Sequence, residues 1–499
     1  MLIAHDLGTT GDKASLHDEH GHLIAAVTET YPTYYGRGGV VEQDPEQWWD
    51  AVCAATRRLL ATTGVSSQQI LGVGLSGQMM GVVLLDEHGD PVRPSLIWAD
   101  TRSTKQCQTL LASIGAEAGY RTLGHRLNPT YSLSKLMWVR DEEPDIFARA
   151  RRLCLAKDFV VSRLTGVLAT DPSDASSTNA FDQRRGTWSE ELFAAADLPS
   201  ALFPEIVAST TVVGSVTTAA ADATGLTVGT PVVMGGGDGP MAAVGAGVVS
   251  EADGAYVYLG SSSWVSISAD QPLLDLPAMR TMTFNHVVPG QYVPTATMQA
   301  GGGSLNWIAD LLAGTEDVGR FDRLVREAGT VEASGDDLYF LPHLLGERSP
   351  YWNPEARGAF VGLGRQHGQA HLTRAVLEGV AFNLATCVEA FRENGAAVNQ
   401  VDAIGGGAAS DVWLQMMADI WGCKIRRRTV VEEANSLGAA VTAGVGIGLL
   451  PGFSVARTLS EVVAEFEPDT ERHQTYRARH ERFLDAYRRL EPWFGGGVS

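Results

Sequence analysis

The first thirty residues alternate between apolar and polar positions in three short runs, LIAHDL, KASLHD and HLIAAVTE. Alternation with a period of two is typical of β-strands that bury one face. The segments GTTGD and EHG separate the runs and supply residues that favour tight turns. This pattern predicts three consecutive strands paired in antiparallel fashion.

A helical period follows in DPEQWWDAVCAATRRLL at 44–60. We expect Asp44 to cap this helix, Pro45 to occupy its first position and Gln47 to complete a capping box. The residues expected to share its buried face are Trp49, Val52, Cys53, Thr56, Leu59 and Leu60. The apolar runs ILGVGLS and GVVLLDE then predict two more strands.

The middle of the chain repeats the layout of its beginning. Residues 255–268, AYVYLGSSSWVSIS, predict a strand, a turn of small residues and a second strand, as in LIAHDLGTTGDKASL. The similarity indicates an internal duplication, although a chance match over so short a stretch is the alternative. We therefore predict an α/β protein with two lobes of related topology, residues 1–248 and 249–499, that share a cleft.

Charge and composition narrow the classes of partner. The formal net charge is −20, and the longest basic run is RRR at 426–428, so nucleic acid is not an expected partner. No apolar stretch approaches the ~20 residues of a membrane span, and the first residues do not resemble a signal peptide. Five cysteines without a CxxC pair predict reduced thiols. A cytoplasmic protein without a membrane partner is expected.

Several turns are candidates for binding phosphate. Glycine-rich turns occur at 235–240 (GGGDGP), 260–263 (GSSS), 301–304 (GGGS) and 405–410 (GGGAAS), and a hydroxyl-rich turn lies in DLGTTG. A glycine turn that opens a helix presents free N–H groups at the positive end of the helix dipole. Any one such turn can merely reverse the chain, but together they indicate a phosphate site. The chain has no Gly-Lys dipeptide, which excludes a Walker A loop.

Two aspartates stand at these turns, Asp6 at the end of the first strand and Asp238 after three glycines. A carboxylate beside a phosphate can hold Mg²⁺ or accept a proton from an attacking hydroxyl. The alternatives are structural: Asp6 could cap its turn, and Asp238 could be a solvated residue in a tight turn.

A third candidate region contains GLSGQMMG at 74–81 and PSLIWADTRS at 94–103. Trp98, Asp100 and Arg102 alternate, so an extended backbone would place their side chains on one face. With Gln78 they would suit a polyhydroxylated ligand, which needs an aromatic wall and directional hydrogen bonds. Alternatively, Arg102 pairs with Asp100 as part of the scaffold.

Four further segments carry long and specific patterns. They are GVVEQDPEQWW near the start, YSLSKLMWVRDEEP at 131–144, LPHLLGERSPYWNPEARG, and GAFVGLGRQHGQAHLTRAVLEGVAF at 358–382. With these segments the chain resembles, over nearly its whole length, the FGGY carbohydrate kinases, members of the actin–hexokinase–Hsp70 superfamily. The segment at 131–144 resembles the first family signature, with Lys135 and Trp138 in place, the segment at 358–382 resembles the second, and LPHLLGERSPYWNPEARG contains the G-E-R-x-P block.

The resemblance implies two ribonuclease-H-like lobes of the actin/hexokinase/Hsp70 type around a central cleft. It also implies ATP and Mg²⁺ as cosubstrates, and phosphoryl transfer to a hydroxyl of a small sugar or polyol. Asp238 corresponds to the family's catalytic base, and its glycines would admit the transferring phosphate. Asp6 and Asp238 are the implied metal residues. The implied nucleotide-binding residues are Thr9, Thr10, Gly260, Ser261, Gly302, Gly303, Asn306, Gly406, Gly407 and Asp411.

Within the family, GLSGQMMG is most similar to the G-x-S-G-Q-M-H-G of xylulokinases, which places Met79 and Met80 in the sugar site with Gln78, Trp98, Asp100 and Arg102. Met80 stands where those enzymes carry a histidine, and a thioether cannot donate a hydrogen bond. Gly239 is also smaller than the residue found there in some relatives. The resemblance implies phosphorylation of D-xylulose to xylulose 5-phosphate. Another ketose, a pentitol or a tetritol is the alternative.

Two further properties stay open at this point. A nucleotide-dependent sensor or switch on the same scaffold is the non-enzymatic alternative, although the intact Asp238 turn argues against it. A homodimer is compatible with the resemblance.

Overall fold

The computed structural model describes residues 1–317, 319–332, 337–429 and 433–495. In chain order its strands are β1 (Leu2–Leu7), β2 (Gly11–His17), β3 (Leu23–Thr30), β4 (Tyr34–Tyr35), β5 (Val41–Gln43), β6 (Gly72–Gly77), β7 (Val83–Leu85), β8 (Ser95–Leu96), β9 (Arg152–Cys154), β10 (Ala169–Thr170), β11 (Phe181–Asp182), β12 (Thr187–Trp188), β13 (Glu205–Ile206), β14 (Val212–Ser215), β15 (Pro231–Val233), β16 (Gly236–Gly237), β17 (Ala255–Leu259), β18 (Ser263–Ile267), β19 (Met282–Asn285), β20 (Tyr292–Met298), β21 (Tyr339–Leu341), β22 (Ala359–Val361), β23 (Gln400–Ile404), β24 (Lys424–Arg428) and β25 (Val462–Phe466).

The helices are α1 (Pro45–Thr63), α2 (Thr104–Ile114), α3 (Ala116–Leu123), α4 (Ser132–Glu142), α5 (Pro144–Arg149), α6 (Ala156–Thr165), α7 (Pro172–Ala175), α8 (Glu190–Ala196), α9 (Thr218–Thr224), α10 (Asp238–Gly245), α11 (Gly302–Ala313), α12 (Arg320–Gly329), α13 (Gln369–Glu393), α14 (Asp411–Trp421), α15 (Ala434–Gly446), α16 (Ala456–Leu459) and α17 (Thr470–Phe494). Among the described residues, none of these helices combines the length and the apolar character needed to cross a membrane.

The first large sheet has the strand order β14-β15-β6-β1-β2-β3, and β16 also pairs with β6. The three predicted strands at the start of the chain are confirmed, because β1 pairs antiparallel with β2, and β2 with β3. On its other side β1 runs parallel to β6.

The second large sheet repeats this arrangement in the order β19-β20-β18-β17-β23-β24-β25. Its central strand β17 is antiparallel to β18 and parallel to β23, as β1 is to β2 and β6. The predicted strand–turn–strand unit at 255–268 is therefore confirmed, and the shared topology supports the predicted duplication. Each sheet has its own buried apolar core.

Helix α15 comes from the second half of the chain but packs on the first sheet, against β1, β6 and α10. Glycines make this close approach feasible: a Cβ added at Gly74 would lie 2.3 Å from the Ala439 oxygen, and one at Gly438 would lie 2.1 Å from the Met241 oxygen. The pair α10 and α15 thus joins the two sheets. A division of the chain at residue 248 remains a prediction.

Helix α1 confirms the predicted start and corrects the predicted face. The Asp44 side chain accepts from the Glu46 N–H at 3.0 Å, and Pro45 is the first helical residue. The predicted capping box is wrong. Gln47 donates its backbone N–H to the Asp44 backbone carbonyl, whereas a capping box requires the Gln47 side chain. The phase of the helix is also shifted by one residue. The buried positions are Pro45, Trp48, Ala51, Val52, Ala55, Thr56 and Leu59, while Trp49, Cys53 and Leu60 are half-buried.

Candidate active site

The two predicted carboxylates lie at neighbouring strand ends. Asp6 is near the end of β1, and Asp238 follows β16 as the first residue of α10. Strands β1 and β16 both run parallel to β6, so their carboxyl ends meet at one edge of the sheet. Asp6 accepts hydrogen bonds from Ser76 Oγ at 2.7 Å and from Asn435 Nδ2 at 3.4 Å. Residues from both halves of the chain therefore contribute to this edge.

Both carboxylates have perturbed proton affinities. Burial raises the pKa of Asp6, and bonds from Ser76 and Asn435 oppose this effect. Burial also raises the pKa of Asp238 to about 7, with a further contribution from the negative charge of Asp6. The Gly239 N–H donates to Asp238 Oδ1 at 2.8 Å and partly offsets the rise. A carboxyl group with a pKa near neutrality can accept a proton and release it at physiological pH.

The fold requires glycine at two positions before Asp238, for a reason that was not expected from the sequence. Gly235 has φ of +73°, and an added Cβ would lie 1.9 Å from the Leu75 oxygen. A Cβ at Gly236 would lie 2.3 Å from the Val287 side chain. These glycines allow the backbone to pack against neighbouring protein atoms. Their predicted role toward a phosphate remains a prediction.

A small cavity of about 130 Å³ opens beside Asp238. Its lining residues are Met79, Met80, Asp238, Gly239, Trp264, Ser266, Met282, Phe284, Thr295, Thr297, Arg348 and Asn435. Of the predicted site residues, Asp238, Met79 and Met80 are in this wall. The side chains from β18, β19 and β20 were missed, because no local motif indicates that these strands face the first lobe.

Met80 has an unusual backbone conformation, with φ of +67°. This left-handed region is uncommon for a residue with a side chain. Hydrogen bonds hold the residue on both sides: its N–H donates to Ser177 Oγ at 3.1 Å, and its carbonyl oxygen accepts from Lys135 Nζ at 3.0 Å. The Met80 side chain joins an apolar cluster that includes Met282 and Phe284. One wall of the cavity is consequently apolar.

Lys135 is fully buried. Its hydrogen bonds to described residues all go to backbone carbonyl oxygens. Besides Met80 it donates to Ile97 and Thr130, each at 2.6 Å. Burial lowers its pKa to about 7. The sequence identified Lys135 as part of a signature but did not indicate this bracing of the cavity wall.

The predicted alternation of Trp98, Asp100 and Arg102 is wrong. The strand in this region, β8, ends at Leu96, and a turn follows. Trp98 Nε1 donates to Thr9 Oγ1 at 2.9 Å, and the Arg348 guanidinium lies 5.5 Å from the centre of the indole ring. Trp98 thus contacts Arg348, which lines the cavity.

Asp100 and Arg102 form the alternative scaffold arrangement. Asp100 is fully buried, accepts from the Val41 N–H at 2.8 Å and pairs with Arg102 at 2.8 Å. Arg102 also pairs with Glu42 and lies 4.4 Å from the centre of the Trp138 ring. The three side chains therefore do not lie together on one face. Residues of β5 bind both Asp100 and Arg102, and the Trp138 ring of α4 contacts Arg102. A direct contact of either residue with a sugar remains a prediction.

Gln78 and the first turn lie close together. Gln78 Nε2 donates to Gln43 Oε1 at 2.7 Å, and the side chain is buried. Gln43 Nε2 donates in turn to the Thr9 carbonyl at 2.6 Å. Thr10 is exposed at the tip of the turn. Neither threonine nor Gln78 is among the residues that line the small cavity.

A second cavity of about 750 Å³ lies on the second lobe. It brings together most of the predicted nucleotide residues: Gly260, Ser261, Gly302, Asn306, Gly406, Gly407 and Asp411. Gly303 is outside this lining, and its N–H donates to the Ser261 carbonyl at 2.9 Å. The cavity also includes Phe321, Asp322 and Arg326 of helix α12, which lies away from any glycine turn in the sequence and was therefore missed.

Arg348 carries the positive charge in the wall of the small cavity. Burial lowers the pKa of its guanidinium. The Glu347 carboxylate acts on this charge, although within the described ranges no carboxylate lies at ion-pair distance from Arg348, and the guanidinium makes a cation–π contact with the Trp98 ring. The G-E-R-x-P block was identified from the sequence, but a role for its arginine was not predicted.

The donor set at the sheet edge fits Mg²⁺. Mg²⁺ prefers oxygen ligands, keeps several waters and typically uses one or two carboxylates with substrate phosphates. Asp6 and Asp238 provide two such carboxylates. Among the described residues no cluster of three or more His, Cys, Asp or Glu side chains could hold a metal by itself. The site therefore suits a metal that is shared with bound phosphates.

Comparisons with known proteins agree with this arrangement. Residues 1–245 match the family model described as "FGGY family of carbohydrate kinases, N-terminal domain", and residues 255–447 match its C-terminal counterpart. The chain is 36% identical to the xylulose kinase of Escherichia coli (strain K12) over 494 residues, 99% of each chain. It is 29% identical to the gluconokinase of Bacillus subtilis (strain 168), covering 98% of this chain and 96% of that protein. The crystal structure of xylulose kinase from Rhodospirillum rubrum has a TM-score of 0.91 at 30% identity and covers 99% of both chains.

Proposed function

This chain belongs to the FGGY family of carbohydrate kinases and is a sugar kinase, and we propose that it phosphorylates a pentulose such as D-xylulose, to xylulose 5-phosphate. The predicted fold class is confirmed by relatives of the same architecture at TM-scores near 0.9. ATP and Mg²⁺ are the proposed cosubstrates.

Asp238 is the proposed general base. The observation that carries this assignment is its position in the wall of the 130 Å³ cavity, at the start of α10, with a pKa raised to about 7. A base is most effective when its pKa lies near the working pH, and a positioned base contributes about 10²–10⁴-fold in rate. Asp238 would accept the proton of the sugar hydroxyl as that oxygen attacks the terminal phosphoryl group of ATP.

The 750 Å³ cavity is the proposed nucleotide site. Gly302 opens helix α11 and Gly406 opens a short 3-10 helix, and the positive end of a helix dipole favours phosphate. Gly260 lies next to Gly302, in the turn between β17 and β18. Asp6 and Asp238 would hold Mg²⁺, which neutralises charge on the phosphates when bound. Asp6 is kept in place by Ser76.

The cavity wall is polar on one side and apolar on the other, which suits a substrate with one polar and one less polar side. Thr295, Thr297 and Arg348 can hydrogen-bond to sugar hydroxyls, whereas Met80 cannot donate a hydrogen bond. Another ketose, a pentitol or a tetritol is therefore retained beside D-xylulose. A sugar acid is a second candidate, because the buried Arg348 guanidinium lines the cavity without a carboxylate at ion-pair distance in the described chain, and a similar protein is a gluconokinase.

The test is ATP consumption by the purified protein with Mg²⁺ and a panel of D-xylulose, D-ribulose, pentitols, tetritols and gluconate. Turnover with D-xylulose that is lost in Asp238→Ala supports the proposal. Turnover with gluconate that is lost in Arg348→Met would replace the pentulose by a sugar acid.

A matched control is Asp222→Ala, an acidic residue on helix α9 outside both cavities. It should retain wild-type turnover. Nucleotide binding without turnover on any sugar of the panel would contradict the proposed substrate class and favour the sensor alternative.

A further inference from the structure

A chain of buried hydrogen bonds lies behind the proposed base. Ser173 Oγ accepts from the Gly237 N–H at 2.9 Å and donates to Asp171 Oδ2 at 2.6 Å. Ser173 and Asp171 are both fully buried. We infer that Asp171 and Ser173 are positioning residues, which hold Gly237 and thereby the adjacent Asp238 at the cavity. The inference rests on the proposed role of Asp238 as the base.

The geometry leaves the Ser173 hydroxyl one arrangement. A hydroxyl has one hydrogen to donate, and an ionised carboxylate only accepts. The hydrogen must therefore point to Asp171, and an oxygen lone pair then faces the Gly237 N–H. Asp171 thus fixes the hydroxyl rotor in the orientation that Gly237 requires.

Asp171 also reaches the other end of the glycine run. The same oxygen, Oδ2, accepts from Ser209 Oγ at 2.7 Å, and the Ser209 carbonyl accepts from the Gly235 N–H at 3.0 Å. The bond to Gly235 comes from the Ser209 backbone and does not depend on the Ser209 side chain. Ser173 is therefore the residue that links Asp171 to the glycine run through a side-chain acceptor.

Gly236 packs directly on this network. A Cβ added at Gly236 would lie 2.6 Å from Ser173 Oγ and 3.3 Å from Asp171 Oδ2. On its other side the strand pairs with β6, where Gly237 is opposite Gly77. The backbone before Asp238 is therefore held between β6 and α7.

Lys157 keeps Asp171 in its acceptor role. Lys157 Nζ lies 3.1 Å from Asp171 Oδ1, and all of this cluster is buried. A buried carboxylate is costly without a counter-charge, and Lys157 supplies one. Lys157 also pairs with Asp158 and Asp174. The ammonium thus holds the Asp171 carboxylate in the cluster from which the network begins.

Ser173→Ala tests the inference, because it removes the Gly237 acceptor and leaves the rest of the network. We expect kcat to fall about tenfold to hundredfold, since a small displacement of a catalytic group costs that much. The KM values for sugar and ATP should stay within about twofold, because Ser173 touches neither cavity.

Ser209→Ala is the matched control. It also removes one hydroxyl bond to Asp171 Oδ2, but the Gly235 N–H is bound by the Ser209 backbone carbonyl, which alanine keeps. Its kcat should stay within about twofold of wild type. A drop in both variants of equal size would show a general loss of structure and overturn the positioning role.

Ser173→Cys covers the case in which the alanine variant does not fold. Cysteine fills the space of serine, but its sulfur is a weak acceptor, so folded protein with wild-type ATP binding and reduced kcat is expected. Wild-type kcat in a folded Ser173→Ala or Ser173→Cys variant would overturn the inference. Absence of turnover in the wild type itself, on every sugar tested, would contradict the proposed function instead.

Discussion

The negative charge of Asp6 raises the pKa of Asp238, in addition to the larger effect of burial. The two residues come from β1 and α10, which end and begin at the same edge of the first sheet. This relationship couples the proposed metal ligand to the proposed base. It leads to predictions about pH for both activity and stability.

We expect kcat/KM for the sugar to increase with pH through an ionisation near 7. Asp238 must be ionised to accept a proton, and its pKa is raised to about 7, so activity is lost as the pH falls through this value. The pH profile at saturating MgATP measures the midpoint. A flat profile between about pH 5.5 and 8 would contradict the assignment of Asp238 as the base.

Asp238→Asn should stabilise the protein at pH 8. The folded-state pKa lies above the ordinary value of 3.8, so the stability that Asp238 contributes is complete at low pH and is lost as the pH rises through about 7. An uncharged asparagine avoids this loss. The Tm difference between variant and wild type should be larger at pH 8 than at pH 5, by about 2 °C or more. Equal differences at the two pH values would show that the burial of this charge is not costly.

The strands at the start of each lobe were predictable because their signal is local. Alternation in LIAHDL and AYVYL depends on neighbours in sequence, and β1 and β17 follow it. The phase of helix α1 was missed by one residue. Trp48 is buried instead of Trp49, because its indole donates to the Gln43 side chain at 3.0 Å, a contact outside the helix.

Several cavity residues could not be predicted from the sequence, because their partners are distant in the chain. The pair Asp100 and Arg102 could be identified as polar candidates, but their partners Val41 and Glu42 lie some sixty residues earlier. Strands of the second lobe supply Met282 and Thr295 to the wall, 44 and 57 residues after Asp238 in the chain. No motif marks such residues, because they meet only after the two sheets pack together.

Met80→His should increase the preference for D-xylulose over a substrate that lacks a hydroxyl toward this wall. The thioether cannot donate a hydrogen bond, and an unmet polar group in a buried site costs about 1–3 kcal/mol. We expect kcat/KM for D-xylulose to rise about fivefold to hundredfold. Met80→Leu is the control, because it changes the side chain without adding a donor and should not produce this rise. A decrease in Met80→His would show that the apolar wall fits the native substrate.

Lys135→Met should destabilise the protein and weaken sugar binding. The ammonium binds the carbonyls of Met80, Ile97 and Thr130. Its loss leaves the Met80 and Thr130 carbonyls unsatisfied at about 1–3 kcal/mol each, whereas the Ile97 carbonyl keeps its bond from the Asp100 N–H at 3.0 Å. Met80 would also lose one of the two bonds that hold its left-handed conformation. Urea unfolding and the sugar KM measure the two effects. Lys105→Met on the exposed side of α2 is the control and should change neither.

Gly302→Ala should weaken ATP binding selectively. The Gly302 N–H donates to the Gly260 carbonyl at 2.7 Å, and a Cβ at this position would lie 2.6 Å from that oxygen. The methyl group would therefore separate the two glycine turns that meet in the larger cavity. The KM for ATP should rise about tenfold or more, which is the effect of losing roughly 1.4 kcal/mol of binding. The sugar KM should not change, because neither glycine lines the small cavity.

Gly368→Ala, where an added Cβ meets no atom within 4 Å, is the matched control. An unchanged KM for ATP in folded Gly302→Ala would place the nucleotide elsewhere, because a phosphate between these turns could not tolerate their separation.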